Sequence, residues 1–403
     1  MPFRLPARWD GLESAPNPLS EALARRREAG LPLLDLTGSN PTTAGIPLPA
    51  DWPKLLADPA GRVYAPESKG LRVAREAIAR YYGERDDGEN AVDPEDLFLT
   101  AGTSEGYAHL FRLLCEPGDE VLVPRPSYPL LDTLADLAGI ELRGYALVPA
   151  EEGAWHIDFE TLEAARTERT RAIAVVSPNN PTGNVLSVDD SAALLGFAER
   201  HGLALVVDEV FADYVSEGND AGASDLPRRL VSQQVPVFTL NGLSKLVGLP
   251  QLKLAWIHAA GSADILAKAR EALEWMCDAH LSVTTASQLA APELLQRRRE
   301  FQDPIRARLG ENLKFLREFT EENSGLKPAL HPLWPQGGWC MPLRCPGIHD
   351  DERIAIRLVE ESGVLTQPGY FYDFEDEETV VVSLLTPPNI FREGIARIAA
   401  KLS

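Results

Sequence analysis

Four short stretches combine residue types that could do chemistry. Leu243-Ser244-Lys245-Leu246-Val247-Gly248 sets one lysine among small and apolar residues. Desolvation there would lower the pKa of its amine and make it a better nucleophile. Val206-Val207-Asp208-Glu209-Val210 ends an apolar run on a carboxylate. Burying an ionised Asp is costly unless a cationic partner waits for it. In Ser177-Pro178-Asn179-Asn180-Pro181-Thr182-Gly183, two prolines and a glycine define a rigid loop that would hold Asn180 out over its surroundings. Thr100-Ala101-Gly102-Thr103-Ser104 would turn closely at Gly102 and point N–H groups and hydroxyls at a helix start, a natural phosphate seat. Each stretch has an ordinary reading when taken singly: an exposed lysine, a capping aspartate, a Pro/Asn/Gly turn, a capped helix. Their joint order and spacing carry the inference.

The elements that must position these residues alternate. Apolar runs at Leu97–Thr100, Glu120–Val123, Glu141–Ala146, Ala172–Val176, Ala204–Val207, Val237–Leu240 and Leu252–Ile257 read as strands. Helical spacing appears at Ser104–Cys115, Pro129–Ala138, Asp189–Arg200 and along Ala263–Arg299. Strands alternating with helices imply an α/β fold with a mostly parallel sheet, and continuous apolar strands imply that both sheet faces are covered. The four stretches fall at strand ends, where open α/β sheets bind ligands. A helix over Pro304–Asn323 then leads into a β-containing tail from Leu330, read as a smaller α+β domain. The expected organisation is an N-terminal arm over 1–45, a large domain over 46–299 and a small C-terminal domain over 300–403.

Composition narrows the class further. The chain has 403 residues, 44% of them hydrophobic, enough for a large core and about two domains. A net charge of -21, with no long Lys/Arg run, argues against a nucleic-acid partner. The four cysteines are scattered without metal-ligand spacing, so neither a disulfide framework nor a metal site is expected. No apolar run is long enough to span a bilayer and no signal-peptide pattern opens the chain, so the expectation is a cytoplasmic protein with no membrane contact.

In this order the stretches resemble the class I/II aminotransferases, which are fold-type I enzymes dependent on pyridoxal 5′-phosphate (PLP). The resemblance also draws on Tyr64…Gly70 and Pro126-Ser127-Tyr128, and extends from about residue 35 to the C-terminus. It implies a large domain with a mostly parallel mixed sheet plus a smaller α+β domain. Lys245 would hold PLP as an internal aldimine and move the substrate α-proton. Asp208 would pair with the pyridine nitrogen, Asn180 would hydrogen-bond the ring 3′-oxygen, and Tyr128 would stack on the ring. Gly102, Thr103, Ser104 and Ser244 would cradle the phosphate. Tyr64 would reach the phosphate of a partner subunit, which implies a homodimer with shared sites. Ser39 and Asn180 are expected to touch the substrate. The implied reaction moves an amino group between an amino acid and a 2-keto acid. The alternative is PLP-dependent C–S β-elimination or other PLP chemistry on an amino acid or amine.

Three positions depart from the family pattern. Where a tyrosine commonly follows the aspartate by three residues, this chain has Phe211, which cannot donate to the 3′-oxygen; a raised aldimine pKa is then expected. Lys253 stands where an arginine usually contacts the phosphate. Val381 stands where an arginine usually clamps the substrate carboxylate, and Arg344 is the nearest substitute in sequence.

Overall fold

The computed structural model describes residues 16–149, 155–216, 229–322, 330–347, 349–376 and 378–402. Its centre is an eight-stranded sheet built from β2 (Leu97–Thr100), β3 (Glu120–Arg125), β4 (Glu141–Pro149), β5 (Trp155–Ile157), β6 (Thr170–Val176), β7 (Ala204–Asp208), β8 (Val237–Gly242) and β9 (Ala255–Ala260). The spatial order is β2-β9-β8-β7-β6-β3-β4-β5. The run β4-β3-β6-β7-β8 is parallel, whereas β9 is antiparallel to both its neighbours and β5 is antiparallel to β4.

Alternation along each strand explains why the sheet sits between helices. Ile173, Val175, Leu205, Val207 and Val237 pack on one face. Ala172, Ala174, Ala204, Val206 and Phe238 pack on the other. Each such fully buried large aliphatic stabilises the fold by about 1.5–3 kcal/mol relative to exposure. The second face is covered by α3 (Thr103–Leu114), α4 (Leu130–Ala138) and α8 (Ala263–His280). α6 (Val188–His201) covers the first.

Helical spacing over Ala263–Arg299 conceals a break. α8 stops at Leu281, which takes a left-handed conformation (φ 43), and α9 (Thr285–Gln296) restarts after Thr284 caps the Ser287 N–H. α10 (Arg298–Glu322) then takes in Pro304 as an interior residue rather than as its first. The last sheet strand is also displaced from the expected Leu252–Ile257. Leu252 ends a 3-10 turn, Lys253 is left-handed (φ 50), and pairing starts only at Ala255.

Two smaller sheets complete the chain. Strands β10 (His331–Pro332), β11 (Cys340–Arg344), β14 (Thr379–Ser383) and β13 (Gln367–Pro368) lie side by side in that order, all antiparallel. β1 (Leu34–Asp35) pairs in parallel with β12 (Val364–Leu365). Through this pairing the N-terminal segment joins the C-terminal unit, and Leu36 packs in the same core as Met341, Val380, Val382 and Phe391. α1 (Pro18–Glu28) lies in a further cluster with Ala355 and Val359. The first fifteen residues of the expected arm lie outside the described residues.

Candidate active site

Five elements deliver side chains to one carboxyl edge of the large sheet. β7 ends on Asp208, β8 on Gly242, β6 on the Ser177 loop, β3 on the Pro126–Tyr128 turn, and β2 on Gly102. They converge on a cavity of about 430 Å³, lined by Thr103, Ser104, Tyr128, Asn180, Asp208 and Lys245 among others. Phe211, Ser244 and Ser39 also line it. A larger depression of about 610 Å³ beside α10 carries Arg306, Lys314 and Arg317 but none of the strand-end motifs.

Lys245 is fixed by close backbone approach. A Cβ on Gly242 would lie 2.7 Å from the Ala255 Cβ and 2.9 Å from its Cα, so this end of β8 tolerates no side chain. The chain then turns into α7 (Leu243–Leu246), and the Tyr214 hydroxyl donates to the Lys245 carbonyl at 2.8 Å. The amine lies 4.9 Å from the centre of the Trp339 ring and 5.6 Å from that of Phe211. Burial lowers its pKa, while Cys340 and Asp208 act in the opposite sense. The shift favours the uncharged form of the amine, the form that can accept a proton.

Asp208 is buried at the end of β7. Its Oδ1 accepts the Val210 N–H at 3.0 Å, and the Tyr107 hydroxyl faces the carboxylate from α3. Burial pushes the carboxyl up to about 6, and the Val210 N–H and the nearby Tyr107 hydroxyl only partly oppose this. Behind it, Arg85 meets the buried Glu209 at 2.7 Å. Arg85 ends α2 (Arg72–Arg85), and Asp86 is buried beside it.

The Asn180 loop is held by its own polar groups. Asn179 Nδ2 donates to the Pro126 carbonyl at 3.0 Å and to Thr182 Oγ1 at 2.8 Å. Thr182 Oγ1 donates to Asn184 Oδ1 at 2.6 Å. Gly183 has φ +70, and an added Cβ would fall 2.2 Å from Pro335. Its carbonyl accepts the Gly337 N–H, locking the loop to the C-terminal unit. Asn180 Oδ1 is thereby left buried without a partner.

The α3 N-terminus lacks a capping side chain, so its first N–H groups are free beside Thr103 and Ser104. A Cβ at Gly102 would lie 3.2 Å from Lys253 Nζ, which brings that ammonium to the same spot. Tyr64 is elsewhere. It is 76% exposed and borders a separate small hollow with Leu281 and Val283. Arg344 also lies outside the cavity, its guanidinium forked onto Asp376 at 3.0 Å from both Nε and Nη2. Residues that sequence reasoning missed complete the wall: Thr37, Tyr107, Trp339, Cys340, Gln367, Tyr372 and Ser383. Most are single polar or aromatic residues inside apolar strands or turns, and only the period-2 alternation of β11 and β14 could have pointed to Cys340 and Ser383.

This arrangement fits an anionic, cationic-ring cofactor. The free helix terminus with Lys253 suits a phosphate. A buried carboxylate whose pKa is raised needs a cationic partner, and the orphaned Asn180 Oδ1 needs a hydrogen-bonding one. Residues 36–397 match the family model for aminotransferase class I and II, and the chain belongs to that family. The mouse tyrosine aminotransferase is 30% identical over 83% of this chain and 72% of its own. The S-alkyl-thiohydroximate lyase SUR1 of Arabidopsis thaliana is 34% identical over 59% of this chain and 50% of its own. Among solved structures, an alanine aminotransferase from Pyrococcus furiosus superposes with a TM-score of 0.87 over 99% of both chains at 23% identity. A single mutant of Thermus thermophilus aspartate aminotransferase gives 0.83 over 99% of both chains at 25% identity. The protein is thus a PLP-dependent aminotransferase of fold type I. Among the described residues, no helix is long and apolar enough to cross a membrane.

Proposed function

We propose that this enzyme moves an amino group between an amino acid and a 2-keto acid, with Lys245 at the reacting carbon. The observation that carries the assignment is one half-buried lysine just past β8 and one buried aspartate at the end of the neighbouring parallel β7, both lining the same cavity. PLP, when bound, supplies an electron sink for the bonds at the carbon that carries the amino group. The remaining work falls to side chains. Lys245 would anchor the cofactor and, once released, would take the proton from that carbon and return it. Asp208 would hold a proton on the ring nitrogen and would itself stay ionised beside that positive charge. Asn180 would hydrogen-bond the ring hydroxyl oxygen, Tyr128 would cover a ring face, and Gly102, Thr103, Ser104, Ser244 and Lys253 would hold the phosphate. Ser39 and Asn180 border the space left for substrate, whereas Arg344 is committed to Asp376.

On the same reading, residues 46–299 form the cofactor-carrying domain and 300–403 the second domain. The exposed Tyr64 is offered to a second copy of the chain, giving a homodimer with shared sites in the cytoplasm. Absorbance spectroscopy tests the reaction. A visible band that a donor amino acid bleaches and a 2-keto acid restores is expected. Release of pyruvate and ammonia without an acceptor, from a thioether substrate, would identify a lyase instead.

A further inference from the structure

The cavity wall facing the large sheet is carried by β11, β13 and β14. Their register pairs Cys340 with Ser383, both Pro342 and Gln367 with Val381, and Arg344 with Thr379. Paired residues share a face, so these seven point to one side. Met341, Leu343, Val380 and Val382 point to the other, into the core of the C-terminal unit. The cavity-side face carries Val381 at its middle, fully buried and packed in one cluster with Tyr372 and Phe374. Arg344 is on the same face but four residues from Cys340, about 13 Å along the strand, and it is held by Asp376. No arginine lines this cavity among the described residues.

What does line it here is neutral and oriented. The Tyr372 hydroxyl donates to Gln367 Oε1, which leaves the NH₂ group of this cavity-lining amide to donate elsewhere. Ser383 Oγ accepts the Leu385 N–H at 3.2 Å, which leaves its hydroxyl proton to be donated. Gln367 is the cross-strand partner of Val381, and Ser383 lies two residues further on the same face. We infer that Gln367 and Ser383 together receive the substrate carboxylate in place of a guanidinium, with Tyr372 as the residue that positions Gln367. The inference rests on the aminotransferase reading of this cavity and names what selects its substrate. Two neutral donors separate a carboxylate from a carboxamide far less than a guanidinium does, because only the guanidinium adds an opposite full charge to the pair. The site therefore discriminates between amino acids and their uncharged carboxamides less than an arginine-bearing site would.

The test uses the PLP-loaded full chain and two unreactive probes, 3-phenylpropanoate and 3-phenylpropanamide, titrated by calorimetry. In the wild type their dissociation constants should agree within about tenfold. Gln367→Glu changes one atom, and it should weaken the acid by about tenfold or more while moving the amide less than about threefold. Gln367→Arg should tighten the acid alone. Tyr372→Phe, a milder change, should weaken both probes by a few-fold, because it frees the amide without altering charge. Loss of both probes alike in Gln367→Glu would mean a packing role and would overturn the inference, as would an unchanged acid affinity. A wild type that prefers the acid by a thousandfold would overturn it too. Single-turnover bleaching of the visible band by phenylalanine and phenylalaninamide separates the two levels. A wild type that loads PLP and transaminates while the probe ratios contradict these expectations sinks the inference alone. A wild type that takes up no PLP sinks the functional reading and the inference together.

Discussion

The two walls of the cavity are built by different rules. The large-sheet wall gathers charge: Lys245 and Asp208 at strand ends, Lys253 above the free end of α3. The opposite wall gathers neutral groups on one face of the four-stranded antiparallel sheet: Cys340, Gln367 and Ser383, with Tyr372 beside them. On the reading proposed above, charge is concentrated where a proton would be moved or a phosphate held, and among the described residues the wall assigned to substrate selection carries none. Chemistry and selection are therefore separable, and substitutions on the two walls should have different signatures.

The largest expected effect is on the charged wall. Lys245→Ala should abolish the visible band and lower the turnover number by roughly 10³-fold or more, as single-turnover absorbance would reveal. A loss under tenfold would break the assignment of this wall to the chemistry. Asp208→Asn should lower turnover by about 10²–10³-fold with intact cofactor binding.

Asp208 also makes a prediction about the cofactor-free protein. Its folded pKa of about 6 lies above the ordinary carboxylate value of 3.8. A raised pKa contributes stability that is full below the unfolded value and is lost as pH rises through the folded one. Cofactor-free Asp208→Asn should therefore match the wild type in stability below about pH 4 and exceed it above about pH 6, on the order of 3 kcal/mol. Denaturant melts at the two pH values decide this, and equal stability above pH 6 would mean that Asp208 is not isolated from water.

Smaller effects sharpen the contrast. Phe211→Tyr should lower the pKa at which the visible band of the loaded enzyme titrates, by about one unit, because the ring oxygen gains a donor; a pH titration of the band is sufficient. Gly102→Ala has no backbone cost, since its φ of 174 is extended. It must displace Lys253 Nζ, and should weaken PLP binding by about three- to tenfold in equilibrium dialysis. Arg344→Ala should change kcat/KM by less than about threefold, because that guanidinium already serves an ion pair outside the cavity. A hundredfold loss would return Arg344 to substrate binding and break the neutral-wall reading.

The walls also differ in how legible they were. The charged wall could be read because each residue follows a strand and sits next to a turn signal: Asp208 closes a Val-rich run, and Asn180 and Lys245 lie within loops rich in Pro, Gly and Ser. The eight strands of the sheet follow the same logic, apart from β5 and the shifted start of β9. The neutral wall could not be read this way. Ser383 is a single polar letter in apolar surroundings and Gln367 sits in a Thr-Gln-Pro-Gly stretch, and their meeting depends on the antiparallel register of β13 on β14. The α8–α9 break was hidden because Leu281, an apolar residue in a left-handed conformation, fills the helical period without continuing the helix. Trp339 follows Gly337-Gly338, a turn signal that says nothing of its ring, which sits against Lys245.

The locking of Gly183 to Pro335 and Gly337 has a consequence for anyone wishing to redesign this enzyme. The loop bearing Asn180 is tied to the turn that delivers Trp339 and Cys340, so the neutral wall cannot be transplanted as a cassette without carrying residues 335–340 in register with it. Diversifying Cys340, Gln367, Tyr372 and Ser383 in place leaves that seam untouched. A library confined to those four positions should therefore yield mostly folded, cofactor-loaded variants that differ in the amines they take.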